Sequence, residues 1–365
     1  MSSEQKGQSG GGITTDGVIT IILTLASWTS IPLFLRYFAQ HIDGWTANGW
    51  RYGFSALIWL PALLIGLRKK TLPAGLWRVA FVPAIFNTAA QVCFGLAPYY
   101  IDPGLMTFSL RLQIVFVTVG ALLMFPAERR VIRSAGYLVG IGLVVAGTGA
   151  TLLLNPTGLG EGTATGVMLA IGAGLLYGCY SLSVRKCLHG INPITAFAAI
   201  SLYTAVGMVG LMFVFGKDGG AGALELSRAR FLFMLLSSLV GIGLGHTLYF
   251  YSISRLGLAL SAGVVQLQPI TVSIASYFIF AELLTGWQWT FGVVAVFGAG
   301  FMLWTQHRIM SRASERTAPI DEFDDLPIDP SVALVGQANE STERSVSKLS
   351  TDKQLPATNA SSGRR

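Results

Sequence analysis

The chain has 365 residues, of which 52% are hydrophobic and only 12% charged, and its 43 glycines add to a balance that excludes an ordinary water-soluble domain. Nine of the 18 acidic and seven of the 25 basic residues follow Arg308, so the part of the chain up to there carries a net +9. Spread over short loops between apolar segments, that excess reads as a membrane-topology signal and excludes a nucleic-acid footprint.

In chain order, residues 1–16 are polar and Gly/Ser-rich at the start, without the basic, apolar and small-residue sequence of a cleaved signal; a short disordered cytoplasmic segment is expected. From Gly17 to Gln306, windows apolar enough to cross a bilayer follow almost without pause, each needing about 20 residues. They predict ten transmembrane helices, over 17–37, 46–67, 76–98, 104–125, 136–155, 163–183, 193–216, 230–252, 259–281 and 287–306. Long continuous apolar runs favour helices over the short alternating strands of a barrel. Residues 309–365 turn polar and predict a disordered cytoplasmic tail. Cys93, Cys179 and Cys187 have no metal-type spacing and read as small buried apolar residues, and no cofactor motif is present.

The basic residues set an expected orientation. With both ends in the cytoplasm, the inner loops collect Arg68, Lys69, Lys70, Arg78, Arg129, Arg130, Arg133, Arg185, Lys186, Arg255, Arg308 and Arg312, against Arg36, Arg51, Lys217, Arg228 and Arg230 outside. A multi-pass protein of the plasma or inner membrane is the expectation. The sequence carries no signature of oligomeric state.

The predicted spans repeat. The fourth carries "LRLQIVFVTVGALLMFPAERR" and the ninth "VVQLQPITVSIASYFIFAELL", each with Leu-Gln followed by an apolar run closing on Ala-Glu. A Gly-rich span follows each, "GYLVGIGLVVAGTG" and "GWQWTFGVVAVFGAG", and an aromatic segment precedes each, "LAPYYIDPG" and "LYFYSISRLG". Residues 17–155 and 156–308 therefore read as two copies of five spans, and an odd number of spans inverts the second copy in the bilayer.

With "ASWTSIPLFLRY" in the first span, "WRYGFSALIWLP" in the second and "GHTLYFYSISRLG" in the eighth, this pattern resembles the EamA branch of the drug/metabolite transporter superfamily over roughly Gly17 to Gln306. The resemblance implies an all-α fold of ten helices in two inverted repeats around a midplane site, moving small metabolites such as amino acids, often outward. It also implies a proline-linked helix break in the fourth and ninth spans. Pro269 supplies that proline in the ninth, whereas Ile114 stands in its place in the fourth, which removes the steric reason for a break there.

Arg111 is the residue that most needs explaining. A central arginine disfavours membrane insertion by about 2.5 to 3.5 kcal/mol, so it is expected to face protein or water, and as a rigid charged fork it suits a carboxylate or phosphate. Helical spacing puts Gly104, Thr107, Arg111 and Thr118 on one face. Matching the two Leu-Gln pairs sets Arg111 opposite Gln266 and Thr118 opposite Ser273, so both copies offer polar groups at the same levels. His246 is a candidate for proton coupling because its charge changes near neutral pH. Asn87 and Gln91, one turn apart, could supply neutral donors and acceptors, with Trp28, Tyr177, Tyr180, Ser181 and Tyr249 walling a pocket; packing between helices explains these residues as well. Glu128 and Glu282 close the fourth and ninth spans and read as interface anchors, the first with Arg129, Arg130 or Arg133 as partner, and Thr285 with Gln288 reads as a capping box. Gly136 with Gly140, Gly174 with Gly178 and Gly241 with Gly245 have the spacing of close helix contacts.

Paired aspartates, a His-Glu-x-x-His or a nucleophile with its base are not found, so an intramembrane enzyme is not the expectation. Without a Walker loop, transport would be secondary, driven by protons or exchange. The alternative is a membrane receptor or scaffold that signals through the tail after Arg312. The expected partners are a small-molecule substrate and the lipid bilayer, with no nucleic acid and no metal.

Overall fold

A computed structural model describes residues 14–154, 161–188, 190–256 and 258–314. Of the segments expected to be disordered, 1–16 and 309–365, residues 1–13 and 315–365 lie outside the described residues, whereas 15–16 begin the first helix and 309–314 continue the last. Ten helices are long and apolar enough to cross a membrane, and no strand occurs among the described residues.

The first repeat comprises α1 (Thr15–Ala39), α2 (Gly44–Arg68), α3 (Leu76–Leu96), a fourth span divided into α4 (Pro103–Leu110) and α5 (Gln113–Met124), a short α6 (Arg129–Ile132), and α7 (Ala135–Leu153). The second comprises α8 (Glu161–Cys187), α9 (Pro193–Phe215), an eighth span divided into α10 (Arg228–Ser238) and α11 (Gly245–Leu256), a ninth divided into α12 (Leu258–Val265) and α13 (Gln268–Phe280), and α14 (Gly286–Ser314). Polar residues outside the apolar runs fix where several helices start. Asp43 accepts from the Thr46 amide at 2.9 Å to begin α2, and Asn192 and Ser227 do the same for α9 and α10. The expected capping box is formed: the Thr285 amide donates to Gln288 Oε1 at 2.9 Å, and the Gln288 amide to Thr285 Oγ1 at 3.2 Å.

The repeats interlock. Each main helix pairing joins one copy to the other: α2 with α9, α7 with α14, α3 with α8, and α1 with α11. Small residues permit the approach, as helices in lipid associate by close packing and not by a hydrophobic driving force. At the α7–α14 crossing a Cβ on Gly140 would stand 2.9 Å from the Gly298 carbonyl oxygen, and one on Gly298 would stand 2.8 Å from that of Gly140. The other glycine pairs anticipated from spacing also abut a second helix, Gly174 against the turn between α4 and α5, Gly178 against α5, and Gly241 and Gly245 against α1. Apolar side chains such as Phe278 (77% exposed) and Leu123 (73% exposed) face outward, the surface a lipid-embedded bundle requires.

The fourth and ninth spans break at the same place in each copy. At Arg111–Leu112 and at Gln266–Leu267 the backbone tightens into i→i−3 bonds, Leu112 N to Ser109 O at 3.2 Å and Leu267 N to Val264 O at 3.0 Å. Ile114 therefore does not abolish the break in the first copy, contrary to what its chemistry suggests. The tightened turn lies against α8 at Gly174, where a Cβ would come 3.1 Å from the Leu110 carbonyl oxygen and 3.2 Å from the Gln113 amide, so packing holds what proline holds in the other copy.

Candidate functional site

The two breaks face each other, and the side chains at them form one network. Arg111 donates from Nη1 to Gln266 Oε1 at 3.0 Å and from Nη2 to Gln268 Oε1 at 2.7 Å. Gln268 in turn donates through Nε2 to the Trp28 carbonyl at 2.9 Å, which ties α1 into the same junction. A charge deep in a membrane protein is tolerable when strong hydrogen bonds replace water, and the two glutamine oxygens provide them. Thr29 and Thr271, one residue beyond Trp28 and three beyond Gln268, are joined at 2.6 Å.

An aromatic wall flanks this junction. Trp28 packs on Tyr249 with ring centroids 4.9 Å apart and on His246 at 5.4 Å, His246 stacks on Phe197 at 4.7 Å, and Phe197 meets Trp59 at 5.0 Å. His246 Nδ1 lies 3.2 Å from the Ile242 carbonyl oxygen. A π-helical turn at Leu239–Leu244 precedes it, with glycines at 241 and 243 that let α1 and α2 approach. Such turns break the regular ladder and frequently occur at functional sites.

Several candidates lie elsewhere. Thr118 is satisfied by the Ile114 carbonyl and by the Tyr137 hydroxyl at 3.0 Å, away from Arg111. Ser273 donates to the Pro269 carbonyl at 2.8 Å and packs against Gly104. Asn87 donates to Thr204 on α9 at 2.9 Å, a link between helices, while Gln91 is half-buried with no hydrogen bond among the described residues. Tyr180 belongs to a buried cluster with Trp59 and Phe197, continuous with the aromatic wall.

The closing glutamates pair in a symmetrical way that spacing did not reveal. Glu128 meets Arg185 of α8 and not Arg129, Arg130 or Arg133; Arg129 instead donates to the Leu122 carbonyl at 2.9 Å. Glu282 meets Arg36 of α1 at 2.8 Å, and Arg36 also reaches Asp102 at 3.2 Å and the Pro98 carbonyl at 2.9 Å. Thus each repeat presents a glutamate after its broken helix to an arginine near the C-terminus of the other repeat's first helix, one pair at each end of the bundle. Burial pushes the Glu282 carboxyl above its usual range, helped by the Asp102 charge and opposed by the hydrogen bond from Ser276 and by Arg36.

Arg51 was missed by sequence reasoning. It fell within the expected second span but was counted only as an outer-side charge; in α2 it is 3% exposed.

Ten interlocked helices in two inverted copies, with a polar junction at the meeting of two broken helices, define a membrane-transporter fold. The EamA-like transporter family model matches the chain twice, at residues 15–153 and 164–304, and the chain belongs to that family. It is similar to an uncharacterized protein of Pseudomonas aeruginosa, 28% identical over 240 residues that span 63% of this chain and 74% of the relative. A solved crystal structure resembles it with a TM-score of 0.56 at 14% identity, over 81% of this chain and 99% of the other, a likeness of fold alone.

Proposed function

We propose that the protein is a secondary active exporter of small metabolites bearing a carboxylate, amino acids or organic acids, working by alternating access at the junction of the two broken helices. The observation that carries this reading is the Arg111–Gln266–Gln268 network, a permanent charge held between the two repeats with two glutamine oxygens among its acceptors. A cargo carboxylate can take over donors of the guanidinium without exposing an acid of the protein, and the broken helices on either side supply backbone polar groups in the way split helices do in other transporters. Trp28, Tyr249 and the half-buried Gln91 would line the same path. His246, which sits in the aromatic wall with its Nδ1 3.2 Å from the Ile242 carbonyl oxygen, is the candidate for proton coupling. The two glutamate–arginine pairs would act as gates, each closing one end, because inverted repeats that rock against each other must break one pair while keeping the other. Both termini would lie in the cytoplasm, as the distribution of basic loops indicates.

Uptake and efflux in proteoliposomes, with a panel of amino acids and organic acids, tests this directly. Wild type should move carboxylates, and Arg111→Gln should lose them by tenfold or more while sparing neutral compounds; equal transport of acids by a normally inserted Arg111→Gln would refute the role.

A further inference from the structure

Arg51 lies buried within a span at 3% exposure, and nothing above uses it. Its Nε donates to Ser237 Oγ at 2.8 Å and its Nη1 to Asn48 Oδ1 at a long 3.4 Å. Both partners are neutral and themselves buried, Ser237 at 0% and Asn48 at 3% exposure. None of the three ion pairs among the described residues involves it. The phenols of Tyr52, Tyr99 and Tyr177 lie within its electrostatic range. Tyr99 donates to the Ile42 carbonyl at 2.9 Å, but the hydroxyls of Tyr52 and Tyr177 make no hydrogen bond among the described residues.

Packing does not demand this charge. α9, the helix that holds the place of α2 in the second repeat, runs from Pro193 to Phe215 as "PITAFAAISLYTAVGMVGLMFVF" without a charged residue. A buried guanidinium with only neutral partners is a standing cost to the fold, and an anion supplied from outside is the partner that offsets it.

The geometry points to Arg51, with the open hydroxyls of Tyr52 and Tyr177, as a binding position for the carboxylate of the transported molecule. This rests on the transporter reading and extends it: Arg51 on α2, Ser237 on α10 and Tyr177 on α8 bring both repeats to one anion. Arg51 lies seven residues past the start of α2 and Arg111 eight past the start of α4, depths of about 10 and 12 Å from the same end of the bundle at 1.5 Å per residue. The two cations therefore lie at similar depth in the bundle.

The test uses the full chain purified in detergent, with melting temperature as the readout of binding. The probes are succinate and L-phenylalanine, each set against its uncharged amide, succinamide and L-phenylalaninamide. Wild type should be stabilised by at least one carboxylate and not by the matching amide. Arg51→Gln should need at least tenfold more carboxylate for the same shift, and Arg51→Lys, which keeps the charge and loses the fork, should fall between. Without ligand, Arg51→Gln should melt at or above the wild-type temperature, because it removes an uncompensated charge. A structural arginine gives the opposite pattern: a lower melting temperature for ligand-free Arg51→Gln with carboxylate affinity unchanged, and that result overturns the proposal. If Arg51→Gln fails to insert, unchanged carboxylate affinity in Arg51→Lys overturns it equally. Wild type that binds no carboxylate overturns this inference and the carboxylate cargo together, whereas carboxylate binding lost in Arg111→Gln and kept in Arg51→Gln overturns this one alone.

Discussion

Replacing Gln268 with leucine tests the junction where it is most connected. The side chain is 9% exposed and does two things: its oxygen accepts from Arg111 at 2.7 Å, and its nitrogen donates to the Trp28 carbonyl at 2.9 Å. A hydrogen bond to a charged group contributes about 1.5 to 3 kcal/mol, and an interhelical bond between neutral groups in a membrane about 0.6 kcal/mol. Leucine keeps the volume and loses both, so Gln268→Leu should destabilise the protein by about 2 to 4 kcal/mol. The assay is reversible unfolding in mixed detergent, in a cycle with Arg111→Met. Because Arg111→Met removes the charge that makes the loss of the acceptor costly, the double variant should be more stable than the two single effects predict, with a coupling of about 1 to 2 kcal/mol. Additive effects, or a loss below about 0.5 kcal/mol for Gln268→Leu, would refute the reasoning, since an interaction of this kind cannot be lost without leaving either signature.

Other consequences follow from the same geometry. At the α7–α14 crossing, Gly140→Val places atoms against the Gly298 carbonyl and should cost about 1 to 3 kcal/mol, read as a lower melting temperature; no loss would mean the helices can separate freely. Ala281 ends α13 in the left-handed region at φ 57°, which Gly adopts without the Cβ clash, so Ala281→Gly should raise stability by up to about 1 kcal/mol, and a decrease would contradict that strain. The Glu282 carboxyl, raised above its ordinary value of 4.5, favours the protonated form in the folded state. Its stabilising share is present below the ordinary value and is lost as pH rises through the raised one. The melting temperature of wild type minus that of Glu282→Gln should therefore fall as pH rises from the ordinary carboxyl value of 4.5, and a difference that grows with pH would reverse the sign. If the glutamate–arginine pairs are gates, Arg36→Ala and Arg185→Ala should each increase thiol labelling of cysteines placed behind the pair removed and not behind the other; equal effects at both ends would reject that role.

Much of the fold was legible because the signal for a spanning helix is length and continuous apolarity, and the expected spans differ from the observed ones by a few residues at the ends. The break in the ninth span could be read from Pro269, whereas that in the fourth could not, since what holds it is a contact with Gly174 more than 60 residues away in sequence. That break also undid part of the anticipated polar stripe. Arg111 and Thr118 share a face only on an unbroken helix; the tightened turn at Arg111–Leu112 turns them apart, and Thr118 is left to Tyr137. Gln268 escaped notice for a related reason, because it follows the turn that sends Arg111 toward it. Arg51 fell inside the expected span 46–67 but was counted only as an outer-side charge, because it lies near a helix start rich in Gly, Asn and Trp, where position along the chain does not distinguish a solvated end from a buried turn. The partners of Glu128 and Glu282 are tertiary contacts, and only the symmetry of the two repeats links them.

The most direct measurement is a structure of the protein bound to a carboxylate that it has been shown to transport. The account predicts ligand density between the broken helices, with carboxylate oxygens about 3 Å from the Arg111 guanidinium and Gln266 or Gln268 displaced to admit them. Density elsewhere, with the Arg111 bonds to both glutamines intact, would contradict it.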